Sequence, residues 1–231
     1  MRSSQRLVFS EKGISSTGTF QLEPIRFRNS DILSRYFPEF QGASFSGLIT
    51  VEGRIFLKSD GDWDVAGSLI LEEGIISYPE RNLKIEGLKG KVTLSSLVNL
   101  QSEGLSEFIF GQMTLNDLDI TEGRVSFALK GEEEIRLEAV EMTVFGGKFS
   151  VDPFSLSLPK MNADLVLHMK GVGIDSIVES LALFNGKFDG RLDGMLPISV
   201  RNKRISLGEG FLDLDSSYPA ALSYDAKGIF T

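Results

Sequence analysis

Apolar and polar residues alternate one for one along most of this chain, and a period of two fits strands that bury one face and wet the other. Between Gly123 and Lys130, Val125, Phe127 and Leu129 fall on one side, against Arg124, Ser126, Ala128 and Lys130 on the other. Phe154, Leu156 and Leu158 oppose Ser155 and Ser157, and Leu165, Leu167 and Met169 repeat the pattern between Asp164 and Lys170. From Glu134 to Phe149 the phase starts with Ile135 and Leu137 and resumes shifted at Met142 and Val144. A change of phase near Ala139-Val140 with no polar interruption predicts a β-bulge inside one strand.

The pairs Asp60-Gly61, Glu73-Gly74, Glu122-Gly123, Gly146-Gly147, Asn185-Gly186 and Asp193-Gly194 read as turns between short strands. Their close spacing favours antiparallel meanders, because parallel βαβ units need long helical crossovers. Only two segments carry helical spacing: Ser30 to Phe37, with Ser30 as N-cap, and Ile174 to Phe184, with Ile174, Ile177, Val178, Leu181 and Ala182 in step. The expected fold class is therefore all-β, an antiparallel sheet with one or two short helices. Residues 1–231 read as a single elongated β domain, with a soft division at 95–106, where the pattern is weakest. Gly228-Ile229-Phe230-Thr231 stop where a strand begins, so the chain is expected to be part of a larger protein.

With 42% hydrophobic residues and 17 Phe among 231 residues, the chain has enough apolar surface to build a core or line a cavity. A net charge of −8 repels phosphate backbones and removes nucleic acid from consideration as a partner. The absence of cysteine excludes disulfides and thiolate chemistry, and no apolar run reaches the ~18 residues of a membrane helix.

Catalytic and metal-binding readings fail for want of residues. His168 is the sole histidine and falls on the polar side of its strand, so neither a hydrolytic triad nor a nitrogen-rich metal site can be assembled. Asp60, Asp62 and Asp64 alternate as at the start of a calcium loop, but Val65 stands where the loop's glycine belongs and Leu71 where its glutamate belongs. Glu132-Glu133-Glu134 reads as a solvated loop. The pair Asp189/Asp193 shares its face with Lys187 and Arg191, and both this pair and Asp213/Asp215 read as a salt-bridged outer surface. No catalytic residue, no metal and no cofactor is expected, and the chain does not read as an enzyme.

From Val144-Phe145-Gly146-Gly147-Lys148-Phe149 to about Asp215, the chain resembles the YdbH-like branch of the AsmA-like bacterial envelope proteins, historically labelled a dicarboxylate-transport domain. The similarity runs through Gly173-Ile174-Asp175-Ser176-Ile177-Val178, then Gly186-Lys187-Phe188-Asp189-Gly190-Arg191-Leu192-Asp193-Gly194-Met195-Leu196-Pro197, and closes at Ile205 to Leu212. Leu83 to Leu94 and Phe108 to Leu129 resemble the family's preceding strands. The resemblance implies a long curved sheet folded into an apolar groove, a β-taco, in the periplasm between two membranes. It also implies passive transfer of phospholipid between inner and outer membranes, in a full-length protein anchored to the inner membrane. Membrane contact would then be made by parts outside this chain.

On that reading the groove is lined by Val125, Phe127, Leu129, Leu137, Met142, Val144, Phe149, Phe154, Leu156, Leu158, Leu165, Leu167, Met169, Phe188 and Leu192. Burying about eight methylenes of an acyl chain at about 0.8 kcal/mol each contributes roughly 6 kcal/mol before ordering costs, so no polar recognition motif is needed. Two rival readings stay open. The same residues can fill the dry core of a closed scaffold that pairs with an envelope protein by β-augmentation, or the site can bind small dicarboxylates, which would require cations on the inner face.

Overall fold

The computed structural model describes residues 2–10, 13–36, 40–57, 61–158, 160–181, 186–202 and 204–224; the side chains of 1–15, 36, 180–188 and 222–224 lie outside the described residues. Of the described residues, 71% lie in strands. Its strands are β1 Arg2–Ser10, β2 Gly13–Gln21, β3 Ile25–Ser30, β4 Ser44–Leu57, β5 Trp63–Tyr78, β6 Leu83–Ser96, β7 Gln101–Ser102, β8 Ser106–Leu115, β9 Leu118–Leu129 and β10 Glu134–Val144. They continue with β11 Gly147–Val151, β12 Phe154–Ser157, β13 Ala163–Gly173, β14 Gly186–Asp189, β15 Arg191–Arg201, β16 Arg204–Leu207, β17 Phe211–Leu214 and β18 Ala221–Tyr224.

Sixteen of these form one sheet in the order β1-β2-β4-β5-β6-β8-β9-β10-β11-β13-β15-β16, with β3 beside β4, β7 beside β6, β12 beside β10 and β17 beside β15. Strands β14 and β18 make a separate pair. Nearly every step goes to the next strand in sequence, which is the antiparallel meander that the turn spacing predicts. The sheet is curved and does not close on itself.

Both helical expectations have counterparts. Helix α1 spans Ile32–Tyr36, and the Ser30 hydroxyl accepts from the Ile32 amide at 3.2 Å, next to the helix's first turn. Helix α2 spans Ile174–Leu181, whereas Phe37 and residues 182–185 lie outside the described residues.

Three of the glycine pairs read as turns are not turns. Glu73-Gly74 lies within the 16 residues of β5, Glu122-Gly123 within the 12 of β9, and Asp193-Gly194 within the 11 of β15. At the first two, the glutamates adopt left-handed φ values of 52° and 53°, and the register shifts by one residue beside each. A single left-handed residue serves a bulge as well as a turn, so the dipeptide alone does not separate the two. Gly146-Gly147 does belong to a hairpin connection, joining β10 to β11, whereas Asp60 lies outside the described residues. Asn185 lies outside the described residues.

Candidate functional site: an apolar trough across the sheet

Side chains directly opposed in an antiparallel ladder share a face, so the registers carry the identity of each face from strand to strand. Starting at β3, one row runs Ile25, Ile49, Leu71, Gly90, Phe108, Val125, Val140, Val151, Leu167 and Leu196, crossing ten strands without a polar residue. The neighbouring row on the other face runs Lys89, Ile109, Arg124, Glu141, Ser150, His168 and Met195. One face is apolar over nearly the whole sheet, and the other carries the charges.

A line of extra residues crosses the sheet beside the apolar row. Glu73 in β5, Gly87 in β6 and Glu122 in β9 each have φ between 52° and 66°, and Gly171 in β13 has φ 64°. Register shifts occur beside Glu73, Gly87, Glu122 and Gly171. Each bulge bends its strand, and bends that align from strand to strand fold the sheet along one line. The concave side is the apolar one: the side chains of Phe45 and Leu71, from opposite sides of the line, converge over Gly47, where a Cβ would lie 2.9 and 3.1 Å from them. The bulged residues are tied from the outer face. Glu73 accepts from Arg26 at 2.7 Å, Glu122 accepts from the Thr143 hydroxyl at 3.3 Å, and the Asp193 carboxylate accepts from the Gly171 amide at 2.7 Å.

The fold line separates a short lip from a long wall. On the lip, Phe45, Ile76, Ile85, Met113, Ile120 and Val144 form a row across six strands. Phe45, Ile120 and Val144 there are only 5–6% exposed. On the wall, Phe127, Leu137 and Phe154 form one row, Leu129, Ile135 and Leu156 the next, and Leu165, Ile198 and Leu207 another. These wall residues are half-buried, and Leu207 at the edge is 64% exposed. A compact globule of this mass would expose about 10,300 Å²; this chain exposes 15,620 Å². The apolar face is the lining of an open trough, not the inside of a closed sandwich.

Most residues named from the sequence as groove-lining share this face. Val125, Phe127, Leu129, Leu137, Met142, Val144, Phe149, Phe154, Leu156, Leu165, Leu167, Met169 and Leu192 are connected through the registers. The bulge expected near Ala139 is present as a register shift between Leu137 and Ala139, and it keeps Leu137 and Met142 on one face. Leu158 sits in the turn after β12, half-buried and off the ladder. Phe188 lies on β14, which is not part of the large sheet, and its side chain is outside the described residues. Apart from Val144, the lip residues and the stretch from Ile49 to Phe110 were missed, although they carry the same alternation; what hides them is the phase inversion at each bulge.

The polar candidates take structural positions. His168 is on the outer face with Nε2 3.0 Å from Asp152. Asp189 and Asp193 are not neighbours on one strand as the alternation suggested, since Asp189 ends β14 in the small sheet and Gly190 separates it from β15. Asp193 opposes Asp213 across strands. Asp215 is held below the usual carboxylate range by hydrogen bonds from Ser217, with help from Arg191 and Lys170. Asp64 is likewise lowered, by Ser96 first and then by the amides of Val65 and Val98, so it pins the loop after β6 to β5. No cluster of metal-binding side chains occurs among the described residues, nor does any helix there long and apolar enough to cross a membrane.

Comparison with known families assigns the chain to one of them. Residues 24–227 match the model of the YdbH-like family, described as intermembrane phospholipid transport protein YdbH. The chain belongs to the YdbH-like family. That is a family of lipid transport and not an enzyme class, and transport between membranes is a task of the cell envelope. No curated protein and no solved structure matches the chain.

Proposed function

We propose that this chain holds phospholipid acyl chains against the apolar face of its trough and lets them pass along the fold line from strand to strand, between inner and outer membranes of a bacterial envelope. The observation that carries this reading is the ten-strand row from Ile25 to Leu196, uninterrupted by a polar side chain and left half-open to solvent over most of its length. An acyl chain laid on such a row gains about 0.8 kcal/mol per buried methylene. Successive strands present equivalent apolar residues along the row, so movement from strand to strand needs no large change in contact energy.

Native mass spectrometry of the purified chain after exposure to phospholipid vesicles tests this directly. Lipid is expected to co-purify at defined stoichiometry and to be lost when Phe127, Phe154 or Leu165 is replaced by Asp, with the circular dichroism of the variants retained. Lipid content that is unaffected by all three substitutions would sink the proposal.

A second reading rests on the sheet's far edge, where Ile205 and Leu207 of β16 are 70% and 64% exposed. There an added strand would extend the apolar face by β-augmentation. A small-dicarboxylate site has less support, because the inner rows offer no convergent cations.

A further inference from the structure

On the wall side of the fold line the inward residues of β8 are Ser106, Phe108 and Phe110, and each phenyl ring in this middle stretch lies against a small residue. Phe108 opposes Gly90 of β6, Phe110 opposes Gly123 of β9, and Phe127 of β9 opposes Ser106. A Cβ on Gly90 would collide with Cγ and Cδ1 of Phe108, and a Cβ on Gly123 would lie only 1.9 Å from Cζ and 2.0 Å from Cε1 of Phe110. The two rings of β8 therefore lean opposite ways, each lying on the backbone of a different neighbour. Ser106 is 1% exposed opposite Phe127, and Phe127 stacks on Phe108 with centroids 6.0 Å apart and planes within 6°. All three phenylalanines are half-buried, so one side of each rests on the sheet while the rest stays open to the trough.

Rings that lie flat leave the trough clear; rings that stand up would obstruct it. We propose that Gly90, Gly123 and Ser106 act as seats that keep Phe108, Phe110 and Phe127 down, so that these pairs set the bore of the trough and the girth of acyl chain that passes. This inference rests on the reading that the trough carries acyl chains. Phenyl-over-glycine pairs also stabilise sheets on their own account, and the two roles separate under double substitution. Adding a methyl at Gly123 leaves the Phe110 ring nowhere to go but away from the sheet and into the trough. Removing the ring at the same time clears the trough without restoring the lost packing.

The test uses the purified chain incubated with vesicles of palmitoyl-oleoyl phosphatidylethanolamine, with bound lipid counted by native mass spectrometry and folding followed by circular dichroism. Gly123→Ala is expected to lower lipid loading about tenfold, and Gly123→Ala combined with Phe110→Ala to recover it even though thermal stability stays below wild type. Phe110→Trp, which overfills the trough above an intact Gly123, is expected to lower loading as well and decides the matter if Gly123→Ala does not fold. Wild-type loading in Gly123→Ala, or in Phe110→Trp, or no recovery in the double variant would overturn the gauge while leaving the lipid trough standing. Failure of the wild-type chain to load would instead remove the transport reading on which the gauge rests.

Discussion

The lip and the long wall are made of the same residue types on the same face, yet they end up in different environments. Ile120 and Val144 on the lip are each 6% exposed, and Val172, which pairs with Leu192 just past the fold line, is 1% exposed. Leu137, Phe154 and Leu165 on the wall are all half-buried. What differs is distance from the line of bulges. Beside the line, side chains from both slopes converge and fill the angle; farther up the wall there is no opposing slope to meet them. The corner is a core, and the wall is a surface. A fold that spent all its apolar residues on the corner would be more stable and would have nothing left to offer a ligand.

Truncation should separate the two regions. Ile120→Ala is expected to cost about 2–4 kcal/mol, as for a residue in a filled corner, whereas Leu165→Ala should cost about 1 kcal/mol, since its side chain is only partly removed from water. Urea denaturation of both variants measures the difference, and equal costs would mean that the wall is packed against something in the free protein. Ser106 sharpens the comparison from the polar side. Its hydroxyl is buried and has no hydrogen-bond partner among the described residues, so Ser106→Ala should be neutral or stabilise by about 1 kcal/mol. A clear loss of stability would point to a partner or ordered water beneath Phe127.

The smallest effect is expected at the rim of the wall. Hydrogen bonds from Arg201 and then Ser199 hold the Asp164 carboxyl below the usual carboxylate range. Because its value is lower folded than unfolded, the pair contributes stability above the unfolded value, and this is lost as pH falls through the folded one. Thermal melts between neutral and acidic pH should show a slightly weaker acid dependence in Asp164→Asn. The group is well exposed and solvent screens it, so the change should be near the limit of detection.

The wall was legible in the sequence because its alternation runs unbroken: Leu165, Leu167 and Met169 could be assigned to one face by counting in twos. His168 was placed on the opposite face by the same count, and the structure agrees. Apart from Val144, the lip was not legible. Leu69 and Leu71 are in phase with each other and out of phase with Ile76 and Tyr78, and only a left-handed Glu73 puts all four on one concave face. An isolated Glu-Gly pair looks like a hairpin turn until the strand is seen to continue beyond it. The same holds at Glu122-Gly123, which divides Val125 and Phe127 from Ile120. The telling signal was the inversion of phase across a dipeptide with no polar loop around it, the reasoning that did locate the bulge near Ala139. Nothing in the linear pattern indicates that bulges on successive strands fall on one line, because that depends on registers set by tertiary pairing.

The central claim is that the apolar face, and not its polar reverse, receives lipid chains. Photo-crosslinking side chains placed singly at Phe154 and at its neighbour Ser155, which point to opposite faces of β12, test this most directly in cells. The account predicts phospholipid adducts at position 154 and none above background at 155. Equal labelling at both positions, or none at either in a folded protein, would contradict it.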